Sequence, residues 1–93
     1  MASIPLDFKK VEALRKHMLL TTSNMSRLLG VSRMTYYGWV RGNKIRKNND
    51  KKVRNTLKEL LDVMTGGWPA PEVIAMEQKY RFKRLLEIVR EKR

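Results

Sequence analysis

Between Thr22 and Lys47 the chain carries hydroxyl, amide and basic side chains in an order that suits hydrogen bonding to an anionic polymer. Arg33 offers a planar guanidinium, which can donate two parallel hydrogen bonds to a paired acceptor such as O6 and N7 of guanine. Basic side chains follow at Arg41, Lys44 and beyond. Because no nucleophile–base pair, metal-ligand cluster or phosphate-cradling glycine loop accompanies them, these residues favour binding over catalysis.

Positive charge is concentrated in one part of the chain. The 93 residues include 21 Lys and Arg against nine Asp and Glu, a formal net charge of +12, and the pI of about 10.5 is typical of nucleic-acid-binding domains. Residues 41–58 hold eight basic side chains and a single acid, Asp50. Since a surface built only for solubility would interleave the two signs, this segment predicts an acidic partner.

Composition excludes several kinds of site. The chain has no cysteine and one histidine, His17, so disulfides, iron–sulfur clusters and thiolate or paired-histidine zinc sites are excluded. The longest apolar run is four residues, 73–76, whereas a membrane-spanning helix needs about 20. The first five residues lack the layout of a secretion signal. We therefore expect a cytoplasmic protein that is not an enzyme and needs no metal, cofactor, membrane or small-molecule ligand.

The chain is expected to be all-α. Helix-forming residues dominate, and no segment alternates as a β-strand does. Hydroxyl side chains at residues 21–23 and at Ser32 predict helix N-caps, while Gly30 predicts a helix exit through the left-handed backbone region. Five helices are predicted: the first opens at Pro5 or Leu6, capped by Ser3 or Asp7, and reaches about Leu19; the others cover about 23–29, 33–40, 50–64 and 72–91, with Asn49 or Asp50 capping the fourth.

A glycine- and proline-rich stretch, residues 66–71, is the strongest break in the sequence. It divides the chain into a first domain (1–65), a linker (66–71) and a longer C-terminal amphipathic helix (72–93). That helix has a broad apolar face and a second apolar patch nearly opposite. Since one face is enough for packing on the first domain, the second predicts homodimerisation, with purely intramolecular packing as the alternative. The residues assigned to dimerisation are Val73, Met76, Tyr80, Phe82, Leu85, Leu86 and Val89.

Two short helices joined through residues 29–32 (Leu-Gly-Val-Ser) fit a helix-turn-helix, in which the glycine turns the chain and the serine caps the second helix. With the exit at residues 39–42 (Trp-Val-Arg-Gly), residues 20–42 resemble the Cro/C1-type (XRE-like) helix-turn-helix family. The resemblance implies a five-helix domain of a phage-type regulator, in a bacterial or phage-infected cell. Such regulators bind DNA operators as dimers and place the second motif helix in the major groove.

Three residues depart from the family pattern. Ser26 stands where alanine is preferred, and Tyr36 replaces a small β-branched core residue. Gly38 stands where the family often has a polar side chain that contacts a base or a phosphate. This glycine narrows the expected reading surface and destabilises the helix by about 0.5–1 kcal/mol relative to alanine.

Double-stranded DNA is the expected partner, and its contacts divide into two classes. Phosphate contacts supply most of the affinity through counterion release, whereas base contacts supply specificity. Within the second class Arg33 suits guanine and Met34 suits the methyl group of thymine. The predicted base contacts are Ser32, Arg33, Met34, Thr35 and Tyr37. The predicted phosphate contacts are Thr22, Ser23, Arg41, Asn43, Lys44, Arg46 and Lys47.

The leading interpretation is a sequence-specific transcriptional regulator, a phage or prophage repressor or Cro-like protein. Two alternatives remain open. A phage DNA-packaging recognition subunit, similar to a small terminase, also joins a helix-turn-helix to an oligomerising helix, and a ring-shaped assembly would distinguish it. A basic protein-interaction module that inhibits a host protein would bind no duplex DNA even at low salt.

Overall fold

The computed structural model describes residues 6–91, which form an all-α domain with no strand. The expected all-α class is confirmed, with six helices in these residues where five were expected. The Ser3 cap and the Pro5 start lie outside the described residues. Within 6–91 no helix combines the length and apolar character needed to cross a membrane. The helices are α1 (Phe8–His17), α2 (Thr22–Leu29), α3 (Arg33–Val40), α4 (Lys47–Thr65), α5 (Pro71–Ile74) and α6 (Gln78–Glu91).

Side-chain caps begin the first three helices, because the first N–H groups of a helix have no backbone partner within it. Asp7 accepts a hydrogen bond from the N–H of Lys9 at the start of α1. At α2, the Thr21 hydroxyl accepts from the N–H of Asn24 while the Asn24 side chain accepts from the N–H of Thr21. The Asp7 cap and the hydroxyl cap of α2 are confirmed, the latter at Thr21.

The turn between α2 and α3 has a left-handed residue at its centre. Gly30 has a φ of +72°, and the N–H groups of Gly30 and Val31 donate to the carbonyls of Arg27 and Ser26. These bonds end α2 in the way that the glycine predicts. Ser26 is buried and its hydroxyl donates to the Ser23 carbonyl, so the serine is accommodated within the helix that carries it.

Helix α4 begins about three residues earlier than expected. Its first residue is Lys47 and its N-cap is Arg46, which makes no side-chain cap hydrogen bond. The prediction that Asn49 or Asp50 caps this helix is wrong, because Asp50 lies inside its first turn and pairs with Arg54, with Oδ1 2.6 Å from Nε. The basic loop is therefore shorter, and Lys47 belongs to the helix.

The predicted helix 72–91 is interrupted, which corrects the expectation of one long C-terminal helix. Helix α5 ends at Ile74, and α6 starts at Gln78. Arg81 stabilises the interruption, because its guanidinium donates to the carbonyls of Val73, Ile74 and Met76 at 2.9–3.1 Å. A cation at a helix C-terminus also interacts favourably with the helix dipole. The apolar residues that were predicted to share one helix are thus divided between α5, the break and α6.

One core holds the domain together, and the segment 66–71 contributes to it. Trp68 is buried, and its indole N–H donates to the carbonyl of Met18 at 2.9 Å. The expected linker is therefore packed against the end of α1 and is no spacer between separate units. The buried apolar side chains are Val11, Met18, Leu20, Met25, Leu29, Tyr36, Trp39, Val53, Leu60, Val63, Trp68, Val73, Phe82, Leu85 and Val89.

Most of the residues assigned to dimerisation lie in this core. Val73, Phe82, Leu85 and Val89 are all less than 10% exposed, and Leu86 packs partly buried against them. The structure corrects their assignment to a dimer surface, because α6 needs this apolar face to pack on the rest of the domain. Two residues of that set are more accessible: Met76 is half-buried and Tyr80 is 54% exposed.

Candidate nucleic-acid interface

Helix α3 has one buried side and one exposed side. Tyr36 and Trp39, which are three residues apart in α3, point into the core, and both rings pack against Phe8, with centroids 6.4 and 5.6 Å away. On the other side Met34 is 82% exposed and Tyr37 is 45% exposed. These aromatic contacts fix the rotation of α3 about its axis, so the predicted base-contact residues face solvent.

The start of α3 concentrates hydrogen-bonding groups. Ser32 caps the helix, since its hydroxyl oxygen accepts from the N–H of Thr35 at 3.1 Å. The same hydroxyl donates to the Thr35 hydroxyl oxygen at 3.0 Å. The proton of the Thr35 hydroxyl is then the donor that remains for a ligand. Arg33 lies between these two residues and is exposed, so guanidinium and hydroxyl donors occupy the same turn.

A groove connects α3 with the basic loop that follows it. Its volume is about 390 Å³, and it contains predicted base-contact and phosphate-contact residues side by side. Lys44 and Arg46 are exposed on the loop, so their charges lie along one edge of the exposed face of α3. The lining residues are Met34, Thr35, Gly38, Trp39, Asn43, Lys44, Arg46 and Asn49.

Backbone hydrogen bonds hold the loop against the end of α3. Gly42, with a φ of +109°, donates its N–H to the Trp39 carbonyl, and Asn43 donates its N–H to the Gly38 carbonyl at 2.9 Å. Arg41 is exposed at the C-cap of α3. All five predicted phosphate contacts from Arg41 to Lys47 are exposed, although Lys47 is presented by the first turn of α4.

The start of α2 is the second predicted phosphate site. Thr22 and Ser23 are half-buried, and their backbone N–H groups have no hydrogen-bond partner among residues 6–91. Free N–H groups at a helix start can bind a phosphate. Gln78 of α6 lies at this end, where its amide donates to the side chain of Asn24 at 2.8 Å and to the carbonyl of Leu19 at 3.0 Å. Sequence reasoning missed Gln78, for which no local pattern gives a signal.

Lys52 is a further basic residue next to the turn. A Cβ at Gly30 would be 2.5 Å from the Lys52 ammonium, so this side chain reaches across from α4 to the C-terminus of α2. A positive group is favourable at that end of a helix. By contrast, Arg54 is half-buried and paired with Asp50, so that its charge is partly neutralised within the domain.

A buried tyrosine hydroxyl lies on the core side of α3. The Tyr36 hydroxyl is buried and makes no hydrogen bond with residues 6–91. Burial, and then the nearby Glu12 carboxylate, raise the pKa of this hydroxyl above its usual range. Arg15 binds Glu12, with Nε 2.5 Å from Oε2, and donates to the Leu20 carbonyl. Tyr36 therefore adds no charge beneath the exposed face of α3.

Comparison with protein-family models, with curated proteins and with solved structures finds no match for this chain. Among the described residues, no group of three His, Asp or Glu lies together in a way that could hold a metal ion. Residue placement alone therefore carries the functional proposal.

Proposed function

We propose that this protein is a sequence-specific regulator that binds double-stranded DNA through a Cro/C1-type helix-turn-helix formed by α2, the turn at Gly30 and α3. One observation carries the proposal: Met34 and Thr35 of α3 line the same groove as Lys44 and Arg46 of the basic loop. A base-reading surface and a phosphate-binding edge need this proximity, because the two contact adjacent parts of one duplex.

The dimensions of α3 fit the major groove. An α-helix with its side chains is about 10–12 Å across, and the major groove of B-DNA is about 12 Å wide and admits one helix. The exposed Arg33, Met34 and Thr35 belong to its first turn, which is the part of a recognition helix that contacts bases. In this arrangement Arg33 pairs with guanine and Met34 contacts a thymine methyl group.

Phosphate binding is assigned to both ends of the motif. Lys44 and Arg46 neutralise phosphates beside the C-terminal end of α3, while the free N–H groups at the start of α2 bind a phosphate on the other side. The charge of residues 41–58 supports this assignment. Affinity should accordingly fall steeply as salt is added.

The proposed regulator acts as a phage or prophage repressor or Cro-like protein in the cytoplasm, where it binds DNA as a homodimer. After the core has taken the apolar face of α6, exposed apolar side chains remain at Ile74 and Tyr80, each 54% exposed. We assign the dimer contact to this surface together with Met76. A two-fold dimer would place its two copies of α3 about 34–36 Å apart, to read an inverted repeat.

Selection of bound duplexes from a random library, followed by affinity measurements at several salt concentrations, tests the proposal. We expect one enriched, two-fold symmetric site. The logarithm of the affinity should fall linearly with the logarithm of the salt concentration. Equal affinity for the selected site and its scrambled version would contradict specific recognition. Absence of duplex binding at low salt would favour the protein-interaction module, and a ring-shaped assembly would favour the packaging subunit.

A further inference from the structure

Gly38 lies inside a recognition helix whose backbone does not need a glycine. The residue belongs to α3 and has an ordinary negative φ, unlike Gly30 and Gly42. A glycine inside a helix is destabilising relative to alanine. The absence of a side chain at Gly38 leaves space for the side chain of a loop residue.

The Asn43 side chain occupies the space next to Gly38. A Cβ on Gly38 would be 2.7 Å from Nδ2 of Asn43 and 3.6 Å from its Cγ. The Asn43 N–H donates to the Gly38 carbonyl at 2.9 Å, which fixes the loop residue against the helix. Gly38 is buried although Asn43 is exposed, so the amide covers the helix at this position and itself faces outward.

Gly38 shares a helix face with the most exposed apolar residue of α3. It follows Met34 by four residues, and residues at this spacing lie on the same side of a helix. Met34 is 82% exposed, and Gly38, Asn43 and Thr35 line one groove with it. The Asn43 amide is therefore presented one turn beyond Met34 on the reading face, although its backbone belongs to the loop.

We propose that Asn43 is a base-reading residue, which supplies from the loop the polar group that Gly38 lacks. Its amide carries both a donor and an acceptor, and this pair matches N7 and N6 of adenine in the major groove. A phosphate has only acceptor oxygens and would use the NH₂ group alone. The inference rests on the proposed function, and it replaces the expectation that Asn43 contacts a phosphate.

The test measures the affinity of the purified full-length protein for its selected duplex and for the three substitutions of each base pair. Asn43→Ala should abolish the preference for adenine at one base pair, a loss of roughly 5- to 150-fold in discrimination there. Gly38→Ala should remove the base preference at the same base pair, because the new Cβ displaces the Asn43 amide. Alanine also favours the helix, so the substitution should not destabilise α3. The double variant should lose no more than either single variant, since both remove one contact.

Asn55→Ala, at an exposed position of α4, is the matched control and should leave discrimination unchanged. Circular dichroism and thermal unfolding of each variant verify the fold, and if Gly38→Ala does not fold, Asn43→Ala decides alone. An equal loss on all duplexes would overturn the inference in favour of a phosphate contact, and unchanged discrimination in Asn43→Ala would overturn it outright. A wild-type protein without any base preference would instead refute the proposed function.

Discussion

The indole N–H of Trp68 donates a hydrogen bond to the backbone carbonyl of Met18, 50 residues earlier in the chain. Trp68 is 5% exposed and Met18 is fully buried. The bond connects the segment after α4 to the C-cap residue of α1. A buried carbonyl without a hydrogen-bond partner is costly. Trp68 therefore stabilises the folded state both by burying apolar surface and by satisfying this carbonyl.

Replacing Trp68 should therefore cost stability through a polar group as well as through packing. In Trp68→Phe the Met18 carbonyl loses its donor, and the unpaired oxygen alone should lower the free energy of unfolding by about 1–3 kcal/mol. Urea denaturation measures the change. Trp39→Phe is the control, since the Trp39 indole N–H donates to no residue of 6–91. Equal losses in both variants would contradict a contribution from the hydrogen bond.

Features set by local chemistry could be read from the sequence. Asp7, the 21–23 hydroxyl cluster and Ser32 predicted helix starts, because a short polar side chain that bonds to a free N–H acts within one turn. Gly30 predicted the left-handed exit from α2 for a similar reason. The three-residue spacing of Tyr36 and Trp39 is likewise typical of one helix face, and both side chains are buried.

Features set by distant contacts could not be read in this way. Residues 75–77 (Ala-Met-Glu) contain no helix-breaking type, and the break between α5 and α6 accompanies hydrogen bonds from Arg81 that exist only in the folded chain. Leu19 adopts a φ of +62°, which its residue type disfavours. For the candidate site, exposure and position of the α3 side chains were predictable, whereas the position of the Asn43 amide beside Gly38 needed the structure.

Arg33 should carry base discrimination. Arg33→Ala removes a bidentate donor from the exposed first turn of α3, so we expect a loss of about 1–3 kcal/mol in binding free energy and relaxed preference at one base pair. Competition between the selected duplex and its single-base variants measures both quantities. Arg90→Ala removes the same charge from the last turn of α6 and is the matched control. A uniform loss across all duplexes would place Arg33 on a phosphate.

Lys44 should contribute affinity without sequence preference. Lys44→Ala removes one cation from the edge of the groove, so binding to all duplexes should weaken alike, and the slope of log affinity against log salt should fall by about 0.9. Fluorescence anisotropy at four or more salt concentrations gives the slope. The control is Lys83→Ala, at an exposed position of α6 outside the basic segment 41–58. An unchanged slope would show that Lys44 does not neutralise a phosphate.

Substitutions at Leu85 and Tyr80 should distinguish residues that pack in the core from residues that form the proposed dimer contact. Leu85 is fully buried, so Leu85→Ala should lower the free energy of unfolding by about 2–5 kcal/mol. Tyr80→Ala, at an exposed position of α6, should change it by no more than about 0.5 kcal/mol and should shift the dimer toward monomer in sedimentation equilibrium. A wild-type protein that sediments as a monomer would contradict the proposed dimer.

Tyr36 should make the domain sensitive to alkaline pH. In the folded chain burial raises the pKa of its hydroxyl, whereas in the unfolded chain a tyrosine ionises near pH 10. Above that pH the unfolded state binds fewer protons than the folded state, so the free energy of unfolding falls as pH rises. Below it, both states keep the proton and this contribution does not change.

Tyr36→Phe removes that pH dependence together with a buried hydroxyl that has no partner among residues 6–91. The variant should be at least as stable as the wild type at pH 7, since no hydrogen bond is lost. Above pH 10 the wild type should lose up to about 1.4 kcal/mol per pH unit more than the variant does. Urea midpoints at pH 7, 10 and 11 measure the difference, with Tyr37→Phe as the control at an exposed position. Parallel stability curves for Tyr36→Phe and the wild type would show that the hydroxyl ionises as easily in the folded chain as in the unfolded one.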